Sequence, residues 1–112
     1  MAAPPEIPAR AKIGYPTRLI INPVTPTVGT APTLILKNNP DRIFWLIVNL
    51  SAYDGYAGWS TDVSATKGLL IPANGGYASA SIAEDGELVI YEVYAINLTA
   101  SGTWMIVEVE RI

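Results

Sequence analysis

The sequence predicts an all-β domain: about eight antiparallel strands in a sandwich or jelly-roll-like barrel, with an extended N-terminal arm. Three observations lead there. Short apolar runs rich in β-branched and aromatic residues recur about every ten residues, separated by Asn-, Gly- and Asp-containing turns. No window repeats its apolar residues at helical spacing between capping residues. Seven of the nine prolines fall in residues 1–32, where a fixed φ and a missing N–H rule out helix or central strand over most of the length. The 112 residues, half of them apolar, suffice for one core and not for two.

Residues 1–17 read as the arm, extended, proline-rich and basic, and residues 18–112 as a single β-domain. Ordering such an arm costs roughly 1–2 kcal/mol per residue in backbone entropy, so it needs a partner surface to become fixed. Ile7, Ile13 and Tyr15 are its candidate apolar anchors. The expected strands are Arg18–Asn22, Thr33–Lys37, Arg42–Leu50, Tyr56–Ser60, Gly68–Ile71, Tyr77–Ile82, Leu88–Tyr94 and Thr103–Glu110. Turns fall at Asn38-Asn39-Pro40-Asp41, at Asn74-Gly75-Gly76 (a hairpin-type turn), at Glu84-Asp85-Gly86-Glu87 and at Ser101-Gly102.

Alternation along the strands shows which faces are apolar. In Arg42–Leu50, Phe44, Leu46, Val48 and Leu50 form one face, and Ile43, Trp45, Ile47 and Asn49 the other. In Thr103–Glu110, Met105, Val107 and Val109 share a face, while Trp104 and Ile106 lie on the side of Glu108 and Glu110. An ordinary antiparallel sheet wets one face. Apolar residues on both faces call either for coverage by the chain's own loops and arm or for a subunit interface. On the second reading Trp45, Trp104 and Ile106 line subunit contacts.

Charged residues make up 15% of the chain, below the roughly 25% of ordinary domains, which suggests surface hidden in an assembly. The net charge of −3 is uneven. Residues 1–18 carry Arg10, Lys12 and Arg18 against Glu6, a balance of +2, and the remainder carries −5. A basic arm on an acidic body is suited to meet acidic protein surface, including another copy. Seven basic residues in all are a poor nucleic-acid footprint.

The chain has neither cysteine nor histidine. This removes disulfides, thiolate chemistry, Ser-His triads and the usual zinc sites. Asp54, Asp62, Glu84, Asp85 and Glu87 could pair as acid and base, but most sit where turns place solvated carboxylates. No enzyme, cofactor or metal site is expected. No apolar run approaches the roughly 20 residues of a membrane span, and the N-terminus lacks the apolar segment of a secretion signal, so the mature chain is expected to start at or near Met1. Asn49-Leu50-Ser51 and Asn97-Leu98-Thr99 match the short glycosylation pattern.

The best candidate binding element is Tyr53-Asp54-Gly55-Tyr56-Ala57-Gly58-Trp59, read as a loop. Tyr53, Asp54, Tyr56 and Trp59 could plug the end of the core, anchor a protein partner, or stack on a sugar.

Several motifs in order carry a resemblance. They are Asn39-Pro40-Asp41-Arg42 leading a strand to Asn49-Leu50-Ser51, then Tyr56-Ala57-Gly58-Trp59-Ser60, Val63-Ser64, Lys67-Gly68-Leu69-Leu70-Ile71-Pro72, Asn74-Gly75-Gly76, Glu92-Val93-Tyr94-Ala95-Ile96 and Val107-Glu108-Val109. Residues 39–109 are similar to small virion proteins of tailed bacteriophages, of the capsid-decoration or head-accessory type. The resemblance implies a compact β-fold, a structural role without chemistry, and a homo-oligomer, with a trimer favoured by analogy. It also implies a major capsid protein or other virion protein as partner, a place on the capsid surface, and synthesis in the host cytoplasm. No nucleic-acid or membrane partner is implied. The rival expectation is a glycan-binding module on a virion surface or fibre.

Overall fold

A computed structural model of the chain describes residues 17–21 and 26–112. Among the described residues the strands are β1 Thr17–Ile21, β2 Thr27–Val28, β3 Thr33–Leu36, β4 Arg42–Asn49, β5 Gly55–Gly58, β6 Leu69–Ile71, β7 Gly76–Ser81, β8 Val93–Asn97 and β9 Gly102–Arg111. They form two antiparallel sheets packed as a sandwich. The larger has the order β1-β9-β4-β7, with β2 also pairing with β9, and the smaller has the order β3-β8-β5-β6.

The pairings nest. β1 lies beside β9, β3 beside β8, β4 beside β7 and β5 beside β6. The chain is thus a long hairpin rolled so that successive pairs alternate between sheets. The fold expected from the sequence, an all-β antiparallel sandwich, is the one observed. Among the described residues no helix is long and apolar enough to cross a membrane.

Seven of the eight expected strands appear with ends shifted by a residue or two, and β2 was not anticipated. The eighth, Leu88–Tyr94, is corrected. Ile82–Asp85 makes one helical turn, Gly86–Ile90 a 3₁₀ turn, and the strand runs Val93–Asn97 instead. The helical turn is started by Ser81, whose Oγ accepts from Glu84 N at 3.3 Å, the usual service of a capping serine. Gly86 ends it at φ 59°, a conformation that favours glycine.

Asn74 and Gly75, at φ 58° and 102°, make the tight turn expected there. It joins β6 to β7, which belong to different sheets, so it is a crossover between sheets and not a hairpin. The Gly75 and Asn74 N–H groups donate to the carbonyls of Asn49 and Ser51 at 2.7 and 2.8 Å, which holds the crossover against the end of β4.

The core lies between the sheets. Trp45, Ile47, Trp104 and Ile106 come from the larger sheet, and Leu36, Ala57, Ile71, Val93 and Ala95 from the smaller. Two polar clasps are buried with it. At one end the Arg42 side chain has no exposed surface. Its Nε donates to Val89 O at 2.7 Å, Nη1 to Lys37 O at 2.9 Å and to Glu108 Oε1 at 2.8 Å, and Nη2 to Tyr91 O at 2.9 Å. A bulge in β4 between Arg42 and Phe44 lets Arg42 and Ile43 both be buried, because the extra residue resets the alternation. At the other end Trp104 Nε1 donates to Asn97 Oδ1 at 3.0 Å, and Asn97 Nδ2 donates to Ala100 O at 3.0 Å and to Ser51 Oγ at 3.3 Å. Ser51 Oγ donates to Asn49 Oδ1 at 2.6 Å. Asn49 Nδ2 reaches Tyr53 O and Ile71 O at 2.8 and 3.1 Å. Buried polar groups cost little only when satisfied in this way.

Candidate functional site

The feature that stands out is the outer face of the larger sheet. In β4 the inward residues Trp45, Ile47 and Asn49 are fully buried, and Phe44, Leu46 and Val48 alternate with them, half-buried, on the outside. The register extends this face across β1, β9, β4 and β7. Val109 lies opposite Phe44 and Leu19, Val107 opposite Leu46, and Met105 opposite Val48. On the other side of β4, Tyr77, Ser79 and Ser81 lie opposite Val48, Leu46 and Phe44. Leu19 and Tyr77 at the two edges are 61% and 68% exposed. Arg111, opposite Thr17, is the one charge at the rim among the described outward positions.

Two-sided apolar strands were legible in the sequence, but the side facing in was not. Trp45, Trp104 and Ile106 are 1%, 0% and 1% exposed and belong to the core. They therefore do not line subunit contacts, and this expectation is corrected. Met105, Val107 and Val109, with Phe44, Leu46 and Val48, are the residues that face out. The misleading signal was Glu108, which shares the inward side because it pairs with buried Arg42 at the open end of the sandwich.

Within the expected aromatic element Tyr53–Trp59, Gly55–Gly58 is a strand inside the smaller sheet, paired with β6 and β8 and overlapping the expected strand Tyr56–Ser60. A Cβ at Gly55 would lie 2.7 Å from the Trp104 ring and from Ile96 O, so only glycine permits the close pairing here. Tyr53 and Trp59, each 38% exposed, stand at opposite ends of β5. The four residues of β5 lie between them, about 10 Å of strand at about 3.3 Å per residue. Tyr56 faces outward between Leu70 and Ile96. Asp54 is occupied as a turn acceptor, taking Ala73 N at 2.9 Å. Trp59 lines a shallow groove of about 420 Å³ with Ser60, Lys67 and Leu69.

Arg18 lies in β1 and pairs with Glu110 of its own chain at 3.4 Å. Ile7, Arg10, Lys12, Ile13 and Tyr15 lie outside the described residues. The carboxylates of Asp54, Asp62, Asp85 and Glu87 serve local structure. Asp85 Oδ2 accepts from Ser81 N at 2.9 Å, and Glu87 accepts from the Tyr91 hydroxyl at 3.3 Å. Asp62 is held below the usual carboxylate range, first by its hydrogen bond to Lys67 and then by Ser60. Among the described residues no three His, Cys, Asp or Glu side chains group where a metal ion could be held. The asparagines of both glycosylation patterns, Asn49 and Asn97, are 0% and 1% exposed and committed to the polar clasp, so neither can carry a glycan in the folded domain.

No protein-family model, no curated protein and no solved structure matches this chain.

Proposed function

We propose that the protein is a structural component of a viral shell, decorating or cementing a capsid by packing against copies of itself and against a shell protein. It acts without catalysis or cofactor. The observation that carries this reading is the outer face of the larger sheet, where Phe44, Leu46, Val48, Met105, Val107 and Val109 form a continuous apolar surface with no charge among them. These six residues are half-buried within one uncharged patch, and apolar patches of this size often serve as contact sites.

The nested strand order adds support. Two packed four-strand paths built from such nested pairs make the jelly-roll arrangement, which recurs in viral capsid proteins and also in lectins and cupins. As fold-level analogy this is compatible with the role and does not single it out. The low charge fraction and the basic residues of the arm point the same way. The glycan-binding alternative has less support, since Tyr53 and Trp59 stand at opposite ends of β5.

The test is the mass of the purified protein at tens of micromolar by light scattering and sedimentation. The unaltered chain is expected to form species larger than a dimer, and Leu46→Lys, which plants a charge in the middle of the outer face, is expected to give smaller ones. Identical masses for the two would overturn the reading.

A further inference from the structure

The sandwich has five edge strands among the described residues: β1, β2 and β7 in the larger sheet, β3 and β6 in the smaller. Natural proteins guard edges with charges, bulges, prolines or shortness. Four of the five are guarded. β1 carries Arg18, β2 is two residues long, β3 has a bulge between Leu34 and Leu36, and β6 is three residues long. β7, Gly76-Tyr77-Ala78-Ser79-Ala80-Ser81, is six residues of regular strand with no charge, proline or bulge.

The direction of its free groups follows from one hydrogen bond. Ser81 N donates to Asp85 Oδ2 at 2.9 Å, so this N–H points away from β4 although Ser81 lies opposite Phe44. Alternate residues of an antiparallel ladder direct their bonds to the same side. Tyr77 and Ser79 therefore present their N–H and C=O groups to the open edge. Asp85 closes the ladder at Ser81, leaving Tyr77–Ser79 as the open stretch.

We propose that β7 pairs antiparallel with β7 of a second copy of this chain, about a two-fold axis at Ala78. Tyr77 of each chain then lies opposite Ser79 of the other, and each such pair exchanges both of its backbone hydrogen bonds. The occupant is a second copy because this register is self-complementary: the same short stretch supplies both partners, and nothing charged opposes itself across the seam. The consequence is one of area, and it rests on the shell-associated reading above. The outer face of one larger sheet measures roughly 19 by 20 Å, or about 400 Å², from the spacing of strands and residues. Stable specific interfaces cover about 800 Å² on each partner. One face falls short by about half. Two faces joined edge to edge form a single apolar surface of the required size, so the pair is the unit that docks.

The experiment separates the two modes of contact. Leu46→Lys, with the outer face spoiled, is expected to remain a dimer by sedimentation. Adding Ser79→Lys at the exposed centre of the edge is expected to weaken that dimer at least tenfold, with the fold retained by circular dichroism. Should Leu46→Lys be monomeric while the unaltered chain assembles, edge pairing is overturned and the outer-face reading stands. Should both be dimers and nothing larger, the outer-face reading fails and edge pairing stands. A persistent dimer in the double variant also overturns edge pairing. Because the chain has no cysteine, Ala78→Cys gives a second measurement that does not depend on the lysine variants folding. It is expected to form a disulfide-linked dimer on mild oxidation at least tenfold faster than Ala83→Cys, and equal rates would overturn the proposed register.

Discussion

Replacing Arg42 by Met is expected to be the most damaging single change that leaves the volume of the core nearly unaltered. The guanidinium spans three carbonyls and one carboxylate: those of Lys37, Val89 and Tyr91, and Glu108. Its side chain is 0% exposed and that of Glu108 is 23% exposed. The buried Val89 carbonyl left without a donor costs about 2 kcal/mol, and the part-buried carbonyls of Lys37 and Tyr91, which water can reach, about 0.5 kcal/mol each. Glu108, near enough to the surface to rehydrate, adds about 1 kcal/mol rather than the larger cost of a sealed pair. The sum is about 4 kcal/mol, a large share of the 5–15 kcal/mol that holds a domain of this size. The assay is urea unfolding followed by tryptophan fluorescence, with the midpoint falling at a nearly constant slope. The midpoint of thermal unfolding should fall by roughly 15 °C or more. Arg42→Lys should recover about a quarter of the loss, since an ammonium is a compact point charge without the guanidinium fork and cannot reach all four acceptors. A loss below about 1 kcal/mol for Arg42→Met would refute the clasp, because water or a neighbour would then be satisfying those carbonyls.

Two further outcomes follow from local geometry. A Cβ at Gly102 would sit 2.2 Å from Ser51 Cβ, so Gly102→Ala should cost about 3 kcal/mol by overpacking, whereas Gly29→Ala, whose nearest neighbour is 3.9 Å away, should stay within about 0.5 kcal/mol; urea midpoints decide both. Asp62 should titrate below the ordinary carboxylate range in an NMR pH series, and Lys67→Met should raise its pKa, because Lys67 is the first cause of the lowering. A depressed carboxylate contributes stability above its unfolded pKa and loses it as pH falls through the folded value, so any stabilising effect of Asp62 should disappear under acid.

The sequence revealed the sandwich because period-two alternation and turn residues are local signals, and β4 and β9 carry them over eight and ten residues. It could not reveal which of two apolar faces turns inward. That depends on which strands pack across the core. Glu108 pointed the wrong way because its partner Arg42 lies 66 residues away. The segment Leu88–Tyr94 looked like strand because it is apolar and alternating. Its course is set instead by tertiary demand: Val89 is buried while its carbonyl, with that of Tyr91, is held by Arg42. Gly55 resembled loop punctuation, and the Trp104 ring and the Ile96 carbonyl beside it explain why a glycine is needed in mid-sheet. The outer face was written in the alternation of Phe44, Leu46 and Val48, but its role as surface needed the fold.

The position of β9 has a kinetic consequence. This strand runs through the middle of the larger sheet, touching β1, β2 and β4, yet it is made after all of them. β1 must find Val107–Arg111 across some ninety intervening residues, with Thr17 meeting Arg111. Pairing over such separations slows folding to milliseconds or seconds. While the chain is being synthesised, β1 and β4 lack the strand that joins them, and the face formed by Phe44, Leu46 and Val48 has no neighbours on that side. The larger sheet is therefore expected to form only after translation has passed Gly102, in one late step that buries Trp104 and Ile106 together.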